Sequence, residues 1–276
     1  MSEDGERLFK KLSRVEAIAD IKNRMLEKDR SLDSAAFEEV FDRATLQSLY
    51  ELMRRGIFED FYGVVSAGKE SRIYYAKSKD GEERAVKIYL VNNTEFRKTR
   101  MIYVAGDHNF VRPGLNLRKF IDAWARREFR NLKAAFEAGV PVPKPIVVSA
   151  NILVMAFLGI EGARYPLLRE TKYTGEEYVE TYQKVVENVA KLYRQAGLVH
   201  GDLSEFNIMA PDPQTVYFID LSQAVPLTNP YAHILLMRDL RNVNRFFASM
   251  GVDIQDEESL FTELTGREPP SELTPI

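Results

Sequence analysis

The chain has 276 residues, 45% of them hydrophobic and 29% charged, and a formal net charge of −3. These values are typical of a soluble globular protein, and no apolar run approaches the roughly 18 residues that suggest a membrane span. The absence of cysteine excludes disulfides and thiolate zinc sites. The net charge disfavours a uniformly basic nucleic-acid binder. We therefore expect a cytoplasmic protein with no membrane or DNA partner, whose acidic N-terminus is a helix and not a signal peptide.

Residues 1–60 predict a helical extension. A polar helix is expected over residues 6–30, and a second helix begins near Ser34. A third helix begins near Thr45 and ends at Gly56, because glycine commonly follows the last residue of a helix.

The stretch from Phe61 to Leu90 predicts three antiparallel strands joined by hairpins, since it is rich in β-branched and aromatic residues. It includes GVVSAGKES, which nearly matches a phosphate-binding P-loop. However, Glu70 stands where that loop needs a hydroxyl, and SRIYYA predicts a strand instead of the required helix. We interpret the stretch as a flap that places Ser66, Lys69 and Glu70 near a nucleotide. An ordinary hairpin is the alternative.

Residues 91–117 have no clear hydrophobic period, and a connection of this length is usually functional or disordered. The basic residues Arg97, Lys98, Arg100 and Arg112 suggest contact with an acidic partner, such as RNA or a ribosomal surface. A solvated surface loop is the alternative.

The remainder of the chain predicts one more strand and then a mostly helical half. Three domains are expected, covering residues 1–60, 61–157 and 158–276, with the last boundary in a link after Phe157. The first elements are a helix from Arg118 to Ala138 and a strand NILVMAFLG beginning at Asn151. A helix opened by a capping box of Thr174 and Glu177 then ends near Gly197. The strand TVYFIDL, ending at Leu221, is followed by a helix from Pro230 to Met250 and a short tail helix.

Two charged residues fall at positions that are expected to be apolar. Lys87 lies in the apolar strand AVKIY, where the ordinary reading is a lysine at a sheet edge. Glu128 falls within a helical stripe of apolar residues, and a carboxylate there needs a cationic partner. Arg127 or Arg130 could be that partner, but Lys87 is preferred if the helix packs on the sheet.

The stretch LVHGDLSEFNIM places Asp202 and Asn207 between apolar ends. Buried polar groups need partners. Asp220 follows in VYFIDL, and by itself it would be read as a turn residue. Together the three suggest a magnesium site in which Asn207 and Asp220 provide oxygens, while Asp202 receives a proton from the nucleophile or orients it.

The order of these residues matches the protein-kinase pattern of a strand lysine, a helix glutamate, a loop with aspartate and asparagine five residues apart, and a later metal-binding aspartate. Each motif is weak alone, but the four in order favour phosphoryl transfer. We therefore predict that Asp202 and Asn207 face a metal-bound nucleotide.

The motifs SAGKESRIY, AVKIY, WARREFRNL, LVMAFLG, LVHGDLSEFNIM and VYFIDLSQAV closely resemble those of RIO atypical protein kinases, and especially the Rio-one branch. The resemblance extends from about Gly63 to Met250. It implies an α+β, bilobal, protein-kinase-like fold that lacks the activation loop and the late peptide-docking helices. It also implies binding of ATP with Mg²⁺ or Mn²⁺. Because family members act in small ribosomal subunit maturation, a pre-ribosomal partner is expected.

The resemblance also implies roles for individual residues. Asp202 is expected to be the catalytic aspartate, Asn207 and Asp220 the metal ligands, and Lys87 a phosphate contact paired with Glu128. Met155 would be the gatekeeper beside the adenine, which would contact the backbones of Ala156 and Leu158. Ala156, Ser71 and Arg72 depart from the usual family residues, which are acidic at the first position and small at the other two.

Two other functions fit parts of the sequence. Small-molecule phosphotransferases of the aminoglycoside and choline kinase type share the H-G-D…N loop, but they usually carry histidine where this chain has Ser204. A nucleotide-switched assembly factor would use ATP hydrolysis in place of protein phosphorylation. The absence of an A-P-E element after Asp220 favours that second alternative.

Overall fold

The computed structural model describes residues 41–91, 100–107, 110 and 116–270. The predicted helices over residues 6–30 and near Ser34 lie outside these ranges, as do Arg97, Lys98 and Arg112 of the basic segment. The chain divides into two compact units that are discontinuous in sequence, whereas the three predicted domains are continuous stretches. Unit 1 contains the described residues 41–91, 117–126 and 146–163, and unit 2 contains 100–107, 110, 116, 127–145 and 164–270.

Unit 1 is built on five strands, β1 (Asp60–Ala67), β2 (Ser71–Lys77), β3 (Glu83–Tyr89), β4 (Pro145–Ser149) and β5 (Ile152–Ala156). The sheet has the order β1-β2-β3-β5-β4, and its first three strands form the predicted antiparallel hairpins. Strand β4 was not predicted, because all of its residues are half-buried and no alternating pattern marks it. Strand β5 confirms the predicted strand within NILVMAFLG.

Helix α1 (Arg43–Arg54) packs on this sheet, and its Leu49 lies in the same hydrophobic core as Val86 and Val154. The helix begins two residues before the predicted start, because the side chain of Asp42 caps it by accepting a hydrogen bond from the Thr45 N–H at 2.9 Å. The predicted end at Gly56 is confirmed, since Gly56 has the positive φ of 71° that glycine tolerates.

Four further helices follow: α2 (Leu117–Glu137), α3 (Gly175–Arg194), α4 (Ala232–Ser249) and α5 (Glu257–Thr265). Helix α2 contributes residues 117–126 to unit 1 and the remainder to unit 2. The predicted capping box opens α3, with the Thr174 N–H donating to Glu177 at 2.7 Å. None of the helices in the described ranges combines the length and the apolar character needed to cross a membrane.

Short strands and 3₁₀ turns connect these helices. The strands are β6 (Gly159–Ile160), β7 (Ala163–Arg164), β8 (Leu198–Val199), β9 (Ile208–Asp212), β10 (Thr215–Phe218) and β11 (Val225–Pro226). Strand β9 pairs with β10, and β8 pairs with β11, both antiparallel. The predicted strand TVYFIDL was too long, because Asp220 turns the chain with a left-handed backbone (φ 57°) and begins a 3₁₀ helix, Leu221–Gln223.

Candidate active site

The loop that carries Asp202 is fixed by a buried carboxylate of α4. Asp239 accepts hydrogen bonds from the backbone N–H groups of Gly201 at 2.7 Å and Leu203 at 2.8 Å, on either side of Asp202. Burial raises the pKa of Asp239 to about 7, while the two backbone hydrogen bonds act in the opposite direction. The neighbouring Arg238 donates to the carbonyl of Gly201. The backbone around Asp202 is therefore held on both sides.

The carboxylate of Asp202 is held through one of its two oxygens. Asn207 donates its side-chain N–H to Oδ2 of Asp202 at 3.3 Å and to the Asp202 carbonyl at 2.7 Å. Gln223 donates to the same Oδ2 at 3.1 Å. Burial, together with repulsion from Asp220, raises the pKa of Asp202, whereas Arg238 and Arg100 lower it. Arg100 thus brings one charge of the predicted basic segment close to Asp202.

Asp220 lies two residues after the end of β10 and is exposed. The β9–β10 hairpin places it beside the Asp202 loop, since the backbone N–H of Ile219 donates to the Asn207 carbonyl at 3.0 Å. The predicted residues Asp202, Asn207 and Asp220 are therefore brought together within unit 2.

His200 lies directly before this loop and is fully buried. Its Nε2 donates to the carbonyl of Ile219 at 3.1 Å when it carries the proton, and Nδ1 has no hydrogen-bond partner in the described part of the chain. Burial lowers the pKa of His200 to about 4, because a second proton would place an unpaired charge in the core. The histidine is therefore a neutral structural link between β8 and the segment before Asp220.

Helix α2 holds the segment after Asp220. Asn131 donates its side-chain N–H to the carbonyls of Leu221 at 3.0 Å and Ala224 at 2.9 Å. Arg127, which is buried, donates to the Ala224 carbonyl at 2.6 Å and to the Tyr103 carbonyl. These contacts fix the 3₁₀ helix that carries Gln223.

The side-chain oxygens of Asn207 and Asp220 are of the kind that bind a divalent metal ion. Because Asn207 directs its amide N–H groups to Asp202, its carbonyl oxygen Oδ1 remains as a possible ligand, and Asp220 adds an exposed carboxylate. Mg²⁺ usually takes one or two protein oxygens and completes its shell with water and phosphate oxygens. In the described ranges, no three His, Cys, Asp or Glu side chains form a metal-binding cluster.

Lys87 lies in unit 1, in the middle strand of the five-stranded sheet, with Ile73 and Leu153 opposite it on the neighbouring strands. It is 3% exposed, and its Nζ lies 5.0 Å from the centre of the Tyr89 ring. The reading as an edge lysine is therefore wrong. Lysine is seldom fully buried in proteins, so its burial in a central strand is unusual.

Glu128 is 0% exposed on α2, which confirms that it lies on the buried stripe together with Trp124 and Leu132. Lys87 belongs to unit 1 and Glu128 to unit 2, and the predicted ion pair between them stays a prediction.

The other predicted nucleotide contacts lie in unit 1. Met155 is buried on β5 opposite Ala85. Ala156 and Leu158 flank Phe157, whose N–H donates to the Glu83 carbonyl at 3.2 Å. Ser66 is exposed near the end of β1, and in the turn between β1 and β2 Lys69 is exposed and Glu70 is half-buried. This confirms the strand–turn–strand reading and excludes a P-loop helix.

Comparison with known proteins identifies the family to which the chain belongs. The sequence profile of the RIO domain matches residues 72–260. The chain is 42% identical over 231 residues to the RIO-type serine/threonine-protein kinase Rio1 of Haloferax volcanii, which covers 84% of this chain and 78% of the relative. It is 39% identical to the Methanocaldococcus jannaschii protein of the same name, over 88% of this chain and 82% of the relative.

Human serine/threonine-protein kinase RIO1 is 38% identical, over 86% of this chain but only 42% of its own length. In structure, the chain is similar to the Rio2 kinase–ADP/Mg²⁺–phosphoaspartate complex of Chaetomium thermophilum, with a TM-score of 0.62 and 23% identity over 85% of this chain and 70% of that one. The fold is thus of the protein-kinase type. The chain belongs to the RIO family, and its closely similar relatives are named RIO1 serine/threonine kinases.

The sequence interpretation missed several residues of the site: Asp239, Arg238, Gln223, Asn131 and Arg127. Asp239 carried a signal of its own, because it lies between apolar residues in LLMRDLRNV, as Glu128 does in its own helix. Arg127, Asn131 and Gln223 lie within the motifs WARREFRNL and VYFIDLSQAV, but their individual roles were not predicted. The remaining four interact mainly with backbone carbonyls or with residues that are distant in sequence.

Proposed function

We propose that the chain transfers the γ-phosphoryl group of ATP, with Asp202 accepting the proton of the attacking group. The observation that carries this proposal is the Asn207 side chain, which donates to Asp202 and so leaves its own carbonyl oxygen as a possible metal ligand. Asp220 would provide the second protein oxygen. A bound Mg²⁺ or Mn²⁺ ion would neutralise the charge that develops on the phosphates.

The exposed carboxylate of Asp220 can also receive the phosphoryl group. An Asp220 oxygen would form a bond to the γ-phosphorus as the bond to the leaving ADP oxygen breaks. Water would then attack the phosphorus and give its proton to Asp202, while the bond between the phosphorus and the Asp220 oxygen breaks. Inorganic phosphate would leave, and the Asp220 carboxylate would be restored. The similar Rio2 kinase structure, which is described as a phosphoaspartate complex, supports the chemical feasibility of this step.

In unit 1, Lys87 is proposed to contact the α- or β-phosphate, because its ammonium group lies in the middle strand of the sheet and a lysine cation can bind phosphate oxygens. We assign Met155 as the gatekeeper, the backbones of Ala156 and Leu158 to adenine binding, and Ser66, Lys69 and Glu70 to the phosphate flap. Glu128 is proposed to orient Lys87.

The segment after Asp220 favours ATP hydrolysis as a substantial part of the activity. Residues 221–231 alone connect Asp220 to α4, and they are occupied by the 3₁₀ helix, β11 and a turn. This connection has no room for the long activation loop with which ordinary protein kinases bind peptides. We therefore propose a cytoplasmic RIO-type serine kinase and ATPase that serves small ribosomal subunit maturation, with pre-ribosomal RNA or protein as its partner.

The test is incubation with ATP labelled on the γ-phosphate, with Mg²⁺, followed by measurement of free phosphate and of labelled protein. We expect slow release of phosphate without added substrate, and label on the chain that hydroxylamine removes, since acyl phosphates are labile to it. Asp202→Ala should depress phosphate release strongly, and Asp220→Ala should abolish the hydroxylamine-sensitive label. Label found only as hydroxylamine-resistant phosphoserine, with no free phosphate, would replace this proposal with a conventional serine kinase.

A further inference from the structure

Gln223 lies at the end of the 3₁₀ helix that begins directly after Asp220, and it is half-buried. Its side-chain Nε2 donates a hydrogen bond of 3.1 Å to Oδ2 of Asp202. The 3₁₀ helix thereby connects the proposed metal-binding aspartate with the proposed proton acceptor.

Both donors to the Asp202 side chain act on the same oxygen. Gln223 and Asn207 each hydrogen-bond to Oδ2, whereas no donor from the described ranges hydrogen-bonds to Oδ1. Two donors on one oxygen fix the rotation of a carboxylate and leave the other oxygen able to accept a proton.

The position of Gln223 is itself fixed by its surroundings. A Cβ atom on Gly201 would lie 2.8 Å from the Gln223 carbonyl oxygen, so the two backbones are in close contact. Asn131 holds the carbonyls of Leu221 and Ala224, before and after Gln223 in the chain. A side chain on such a rigid support can orient its partner precisely enough to affect a reaction.

We propose that Gln223 is a positioning residue for phosphoryl transfer, which holds the Asp202 carboxylate through Oδ2 so that Oδ1 faces the proton of the attacking group. This inference rests on the proposed function. Asn207 holds the same oxygen but is also a proposed metal ligand. Gln223 can therefore be changed without removing a ligand, and its contribution can be measured separately.

The test uses Gln223→Met, which keeps the length of the side chain but removes the donor. Hydrogen bonds to charged groups contribute about 1.5–3 kcal/mol, so kcat for ATP turnover should fall about 10- to 100-fold in Gln223→Met. KM for ATP and the melting temperature should stay close to the wild-type values. Gln195→Met, at the exposed end of α3, is the matched control and should turn over ATP at the wild-type rate.

A second comparison separates positioning from a general structural effect. In single-turnover experiments, Gln223→Met should cause no further loss in an Asp202→Ala background, because the group that it orients is absent. An unchanged kcat in Gln223→Met, or losses that multiply with those of Asp202→Ala, would overturn the proposal while leaving the proposed function intact. A wild-type chain that turns over no ATP would instead refute the proposed function, and with it this role of Gln223.

Discussion

Asp239 accepts a hydrogen bond from the backbone N–H of Gly201, which lies 38 positions earlier in the chain, at 2.7 Å. Its other oxygen accepts the N–H of Leu203, so both oxygens of one buried carboxylate fix the backbone on either side of Asp202. The geometry of the proposed proton acceptor therefore depends on a side chain of α4 that does not itself belong to the reacting cluster.

Asp239→Asn should destabilise the protein and slow ATP turnover. The asparagine amide offers one acceptor oxygen, so one of the two buried backbone N–H groups loses its partner, which costs about 1–3 kcal/mol of the free energy of unfolding. Chemical denaturation measures this loss. Asp253→Asn, at an exposed position after α4, is the control and should change the free energy of unfolding by less than about 0.5 kcal/mol. Equal stability of the two variants would contradict the anchoring role.

Gly201→Ala should be much more harmful than Gly197→Ala. Both glycines have a positive φ, of 76° and 64°, so alanine is strained by about 1–2 kcal/mol at each. Only at Gly201 would the new Cβ also approach a backbone atom, the Gln223 carbonyl oxygen, at 2.8 Å; at Gly197 no atom lies within 4 Å. We expect Gly201→Ala to lose ATP turnover and stability, and Gly197→Ala to lose stability alone. Full turnover in Gly201→Ala would show that this close contact is dispensable.

The buried His200 should make the protein less stable in acid. Its pKa is about 4 in the folded chain and close to 6.5 when unfolded, so the unfolded chain binds the proton first as the pH falls. The stabilisation from the neutral ring is complete above pH 6.5 and is lost between about pH 6.5 and 4, by roughly 3 kcal/mol in total.

The check for His200 is the free energy of unfolding measured across this pH range. In His200→Gln, which keeps a side-chain N–H donor but does not titrate, the stability should depend less steeply on pH. The same slope in both proteins would mean that His200 titrates normally in the folded state.

Asn151 should be essential for the stability of unit 1. It is 0% exposed, donates to the Tyr89 carbonyl at 2.7 Å and accepts hydrogen bonds from Thr45 at 3.1 Å and Arg118 at 3.2 Å. Asn151→Ala should lower the free energy of unfolding by about 2–4 kcal/mol, because several buried polar groups lose their partner. The control Ser48→Ala removes an exposed hydrogen bond within α1 and should have little effect. A similar change in both variants would argue against this network.

Much of the candidate site could be predicted because its residues lie close together in sequence, within single loops, strands and helices. Asp202 and Asn207 lie five positions apart on one loop, and Glu128 stands out as a charge on an apolar helical stripe. Lys87 was predicted by the same logic, although its central position in the sheet depends on strand pairing that the local pattern does not contain.

The missed features depend on contacts between distant segments. The hydrogen bond from Gln223 to Asp202 depends on the hairpin and the 3₁₀ helix, which bring the two side chains together. Asn131 acts on carbonyls 90 and 93 positions away. Strand β4 was missed for a different reason, since its five half-buried residues show no alternation between an apolar and a polar face.

The most direct test of the central claim is the rate of ADP formation from saturating ATP and Mg²⁺ by the wild-type chain and by Asp202→Asn, with nucleotide affinity measured for both. Asparagine keeps the size of the side chain but cannot accept the proton as a carboxylate does. We predict measurable turnover in the wild type, a loss of about 100-fold or more in Asp202→Asn and a similar affinity for the nucleotide in both. Turnover by Asp202→Asn at the wild-type rate would contradict the assignment of Asp202 as the proton acceptor.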